Sequence, residues 1–163
     1  MKKSLTKIVL VGAGNVLNAL LGFAFLSVVA KTLELESFGK YALLTTLLVT
    51  ISKIIDFGTN SVFVAESIST DNKSLTGIFY GIKVVLLGVS IPISILVLTL
   101  LNLISPNVIL IFTLGLVAYS INYTLNALFQ KDEKFLHLVS LNTLPAIIKG
   151  VFAYLKMFIT VIR

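Results

Sequence analysis

The chain has no cysteine, which excludes a disulfide and any thiolate metal site and leaves its redox compartment unassigned. Tryptophan is absent as well, so the five tyrosines are left to serve as aromatic anchors at headgroup level. Histidine occurs once, at His137, with no carboxylate pair or metal-ligand spacing around it. A metal site needs several ligands, so His137 reads as an interfacial residue and no metal is expected. No glycine-rich phosphate loop, paired acidic motif or nucleophile elbow appears. The chain is therefore not expected to be an enzyme, and no cofactor is expected. Charge is scarce, at 12% of 163 residues against about 25% in an ordinary soluble domain.

What fills the remainder is apolar: 57% of positions, with a mean hydropathy of +1.04. A soluble domain of this size leaves too much surface in water to hide so much apolar area, whereas lipid covers it. The net charge of +6 does not point to nucleic acid. The lysines fall mostly at the ends of apolar runs instead of forming one basic face.

A membrane-spanning helix needs about 20 mostly apolar residues. Five runs meet this: residues 8–30, 41–64, 75–101, 108–129 and 137–161. Polar links at 31–40 and 66–74, the breaker Ser105-Pro106-Asn107 and the run Gln130–Lys134 separate them. Strands are usually under about ten residues, and an open sheet edge facing lipid would leave its backbone groups unsatisfied. The expected fold is all-α, a polytopic membrane bundle of about five transmembrane helices. Lys2, Lys3, Lys7, Lys73, Lys131 and Lys134 would share one side, against Lys31, Lys40 and Arg163, with Lys156 nearby, on the other. The excess of lysine puts the N-terminus in the cytoplasm. The first run, 23 residues long, exceeds the roughly 7–15 of a cleaved signal peptide.

The stretch Lys7–Gly22, with Gly12 and Gly14, resembles a strand entering a dinucleotide-binding turn, but Leu17 stands where the third glycine belongs. No alternation of strands and helices follows, so Gly12, Ala13 and Gly14 are read as a surface for close helix packing.

Polar residues inside the spans carry the functional information. Thr46, Thr50, Lys53, Asp56 and Asn60 recur at helical spacing, as do Tyr119, Asn122, Tyr123, Asn126 and Gln130. The third span offers Thr76, Tyr80, Lys83, Ser90 and Ser94, and the fifth Asn142, Lys149 and Lys156. A charge at the bilayer centre costs at least about 2.5–3.5 kcal/mol, so such residues pair or line a pathway. Lys53 and Asp56 are three apart and are placed to pair along their helix, which makes Asp56 a structural partner or an ion-coupling site. Lys83, near the start of its span, reads as snorkelling toward headgroups. Lys149 has no local partner and is a candidate for an anionic ligand. The asparagines serve either a ligand or interhelical hydrogen bonds.

From Asn15 to Ser67 the chain resembles the start of bacterial polysaccharide flippases of the multidrug/oligosaccharidyl-lipid/polysaccharide exporter superfamily. The matching residues are Asn15, Asn18 and Phe25, then Glu36-Ser37-Phe38-Gly39-Lys40-Tyr41-Ala42, which is similar to the family's E-x-F-G-x-Y-A element. Asp56-Phe57-Gly58 is similar to its D-x-G element, and Gln130–Phe135 leading into Asn142 to its link between helices four and five. The resemblance implies a two-lobed transporter of about 12–14 helices around a central cavity. It would move an isoprenoid-diphosphate-linked oligosaccharide to the outer leaflet of the bacterial inner membrane, for surface polysaccharide synthesis. Five spans do not make two lobes, so the chain is expected to be the N-terminal part of such a protein or a truncated gene. Where family members often carry arginine after the first helix, this chain has Lys31, which lacks arginine's bidentate grip on phosphate. Under this reading Lys53 and Lys149 serve the diphosphate, while Asn122, Asn126 and Gln130 meet sugar hydroxyls. The implied partners are membrane lipid, the lipid-linked oligosaccharide, and a polysaccharide polymerase and glycosyltransferases. Competing readings are an ion-coupled drug exporter using Asp56, a non-transporting scaffold for polysaccharide assembly, and a membrane enzyme.

Overall fold

The computed structural model describes residues 2–69 and 73–162, and among these every regular element is an α-helix. The order is α1 (Lys2–Thr32), α2 (Leu35–Asp56), α3 (Thr59–Ser69), α4 (Lys73–Leu100), α5 (Pro106–Lys131) and α6 (Phe135–Ile162). At about 1.5 Å per residue, α1, α4, α5 and α6 each exceed the roughly 30 Å of a hydrocarbon core. The stretches Val11–Thr32, Leu35–Ser69, Ser74–Leu100 and Pro106–Lys131 are long and apolar enough to cross a membrane, and Phe135–Val151 is a shorter apolar run. The chain is a polytopic membrane helix bundle. Lys156 and Arg163 lie outside the residues whose side chains are described.

The punctuation follows local chemistry. Ser105 caps α5: its extended backbone (φ −149°, ψ 155°) lets Oγ accept from the Val108 amide at 3.3 Å, and Pro106 opens the helix without a wasted donor. At the end of α4, Asn102 takes φ +53° while Leu103 N–H bonds Leu98 O at 2.9 Å and Asn102 N–H bonds Thr99 O at 3.0 Å. That pair of bonds closes a helix on a left-handed residue. Pro92 and Pro145 sit inside α4 and α6 without ending them.

The second apolar run is not one helix. It breaks at Phe57 (φ +36°) and Gly58 (φ +73°), so α2 and α3 are two helices within one span. The polar link 31–40 is also largely helical, with Leu33 and Glu34 between α1 and α2.

The chain divides into two compact units. One holds residues 1–42 and 133–163 and is built on the packing of α1 against α6. Gly14 is the close point: a Cβ there would lie 2.7 Å from Cγ1 of Val139, whereas a Cβ at Gly12 meets nothing within 4 Å. Close helix packing is therefore the work of Gly14, and no strand precedes it.

The other unit, residues 43–132, holds most of α2 together with α3, α4 and α5. Its larger apolar core comprises Ile51, Ile55, Leu98, Phe112 and Leu116, with Leu48 pressed toward Gly115. A smaller core gathers Phe63, Phe79 and Ala127, where the two phenyl rings stack with centroids 4.1 Å apart. Large apolar side chains such as Val84, Leu96 and Ile111 are exposed, as lipid contact requires.

Candidate functional site

The polar cluster of the second unit forms where α2 stops. In an unbroken helix the carbonyls of Ile55 and Asp56 would accept from the amides of Thr59 and Asn60. The break removes those donors, and side chains replace them. Lys83, from α4, donates from Nζ to Ile55 O at 3.1 Å, and Thr59 Oγ1 donates to Asp56 O at 2.6 Å.

Lys83 is the most buried charge among the described residues, its side chain 3% exposed. Its ammonium lies 3.6 Å from Asp56 Oδ1, at the negative end of the α2 dipole, and over the rings of Phe79 (5.3 Å) and Tyr123 (6.0 Å). The expected snorkelling of Lys83 is overturned: the side chain turns inward because a helix terminus, a carboxylate and two aromatic faces await it there. The expected Lys53–Asp56 pair is likewise replaced. Asp56 pairs with Lys83, and the exposed Lys53 ammonium lies over the Tyr123 ring at 5.3 Å.

Tyr123 connects these groups. Its hydroxyl shares a 3.2 Å hydrogen bond with Ser52, which is fully buried, and its backbone carbonyl accepts from Asn60 Nδ2 at 3.1 Å. One α5 residue thus touches α2, α3 and α4 through hydroxyl, carbonyl and ring. The spacing of the α2 stripe pointed to Lys53, Asp56 and Asn60 but passed over Ser52, whose small side chain carries no signal in a sequence.

The other candidate residues fall in different places. Asn126 Nδ2 donates to both Asn122 O and Asn122 Oδ1 at 2.8 Å, so the two amides are joined along one half-buried face of α5. Gln130 is exposed near the end of α5. Lys149 is exposed on α6 and belongs to the other unit. His137 is exposed at the start of α6, and among the described residues no group of three His, Cys, Asp or Glu could hold a metal.

This arrangement can do two things chemically. It holds one buried lysine in an ion pair inside the bundle, and it presents a second, exposed ammonium on an aromatic face. The sequence profile of the family described as polysaccharide biosynthesis protein matches residues 4–161. The chain belongs to that family. Membership and the apolar helices together give a multi-pass membrane protein with a polysaccharide-related transport role, in a family that is generally non-enzymatic. No curated protein and no solved structure matches the chain.

Proposed function

We propose that this chain forms part of a flippase that carries isoprenoid-diphosphate-linked oligosaccharide across the bacterial inner membrane for surface polysaccharide synthesis, its N-terminus in the cytoplasm. The observation that carries the reading is Lys53, an exposed ammonium within a span, held on Tyr123 while Asp56 is engaged by Lys83. A diphosphate entering a low-dielectric slab loses hydration, and a cation of this kind offsets part of that loss. Lys149 is assigned the same chemistry, and the amides of Asn122, Asn126 and Gln130 are assigned to sugar hydroxyls. Family membership supports the class of cargo. A polysaccharide polymerase and glycosyltransferases are the proposed neighbours in assembly.

Mass spectrometry of lipid-linked oligosaccharides tests this in the host lacking the gene. Isoprenoid-linked repeat units should accumulate while surface polysaccharide is lost, and Lys53→Glu in the restored gene should reproduce both effects. Unchanged lipid-linked sugars, in a strain without a second such transporter, would refute the reading. The drug-exporter alternative needs Asp56 as a free cation site, and its pairing with Lys83 weighs against that. Cation-dependent drug efflux through the chain would reverse the choice. A scaffold without transport would leave a cysteine at position 53 unreactive toward water-borne thiol reagents.

A further inference from the structure

The break between α2 and α3 is strained at a residue whose side chain is largely exposed. Phe57 adopts φ +36°, a region that side-chain-bearing residues avoid, yet its own side chain is 79% exposed. A residue pressed into that shape by its surroundings would be buried against them. What holds the break is on the other side of the chain: Lys83 on the Ile55 carbonyl, Thr59 Oγ1 on the Asp56 carbonyl, and Asn60 on Tyr123 O. The strain and the Lys83 contacts oppose each other at one point.

The same residues have a second arrangement open to them. If the chain ran as one helix through 57 and 58, the Ile55 and Asp56 carbonyls would bond the Thr59 and Asn60 amides, as in any α-helix. The left-handed strain at Phe57 would vanish, and the Ile55 carbonyl would no longer need Lys83. Lys53 lies three residues before Asp56 on α2 in either form, so an Asp56 released by Lys83 has an intrahelical partner within reach. Lys53 is not committed elsewhere except to the face of Tyr123. The cost falls on Lys83, whose ammonium would be left in the bundle without its carboxylate and carbonyl. That cost disappears only if an anion takes their place.

We propose that α2–α3 is a two-state element, bent when Lys83 holds the end of α2 and straight when Asp56 transfers to Lys53, and that a diphosphate anion drives the straightening by taking over Lys83. The anion half of this rests on the proposed function; the two-state element does not. Each state has its own ion pair and backbone bonding, which is what allows a bound ligand to shift one into the other.

The chain's lack of cysteine supplies the assay. Cysteines at Val49 on α2 and Ile68 on α3, both exposed, carry spin labels in the otherwise native full chain in lipid vesicles. A straight helix places these positions about 28 Å apart along its axis, and a bend at residues 57 and 58 is expected to shorten that separation. Lys83→Met should move the distribution from the short to the long distance. Gly58→Ala, which penalises the bent form at φ +73° without touching Lys83, should do the same, and a Cβ there meets nothing within 4 Å. Lys53→Met should leave the short distance in place. Short distances retained in both Lys83→Met and Gly58→Ala would overturn the two-state element. Vesicles containing polyprenyl diphosphate should lengthen the distance in the native sequence, and vesicles with polyprenyl alcohol should not. Lengthening in the two variants but not with polyprenyl diphosphate would overturn the anion half alone.

Discussion

Replacing Gly14 by alanine tests the packing of α1 on α6 in a form that separates two opposing effects. Alanine in a helix interior is favoured over glycine by about 0.8–1.0 kcal/mol. At Gly14, however, the added Cβ would lie 2.7 Å from Val139 Cγ1 and 3.3 Å from Cγ2. Both are branches of one stiff side chain, so neither can swing aside without moving the other. Overpacking of this kind costs about 1–3 kcal/mol. Gly12 lies on the same helix with nothing within 4 Å, so Gly12→Ala receives the helical gain alone. The expected difference between the two variants is therefore the clash itself, about 1–3 kcal/mol.

Unfolding in mixed micelles of dodecyl maltoside and dodecyl sulfate reads this difference, with fluorophores on cysteines introduced at the exposed Leu17 and Leu136. Val139→Ala should restore much of the stability lost in Gly14→Ala, because it removes the atoms that clash. Equal stabilities for Gly12→Ala and Gly14→Ala, within the roughly 0.3–0.5 kcal/mol by which independent effects add, would refute the close approach.

Ser105→Ala removes the oxygen that receives the Val108 amide, and should cost about 0.5–2 kcal/mol in the same kind of unfolding measurement. Ser105→Asp should retain most of it. Tyr123→Phe removes the hydroxyl shared with Ser52 but keeps the ring under Lys53 and Lys83, so its cost should be about 0.5–1.5 kcal/mol. Tyr123→Leu loses both and should cost more, by about 0.5–2 kcal/mol for the cation–π contacts.

The fold class was legible because hydropathy and run length are one-dimensional properties of a chain that must face lipid. Ser105-Pro106 and Gln130–Lys134 marked the two ends of α5 because their chemistry is local. The break at Phe57-Gly58 was hidden: the hydropathy of Tyr41–Val64 runs straight through it, and a lone glycine inside a membrane helix is commonplace. Lys83 was misjudged for a related reason. Snorkelling is the default for a lysine near the end of a span, and its real partners, the Ile55 carbonyl and Asp56, lie 28 and 27 residues away. Those partners exist as a site only because α2 ends there. A stripe drawn at helical spacing assumes a continuous helix, so it could not foresee its own interruption.

That interruption also sets the charge available to a substrate. Lys53, Asp56 and Lys83 together carry two positive charges and one negative, and the carboxylate already faces Lys83 at 3.6 Å. In the bent form one net positive charge is left, on Lys53. A diphosphate ester carries more negative charge than that, and Coulomb forces in a bundle interior are far less screened than in water. Under the proposed function the anion meets Lys53 in the bent form and Lys83 in the straight one, where Asp56 turns to Lys53, so one net positive charge of this cluster faces it in either state. The sign of the charge at position 53 then matters more than the loss of any one contact. Lys53→Gln should weaken polysaccharide export, and Lys53→Glu should abolish it by reversing the only uncommitted charge in the cluster. Equal export from the two variants would mean that the ammonium on Tyr123 serves packing alone.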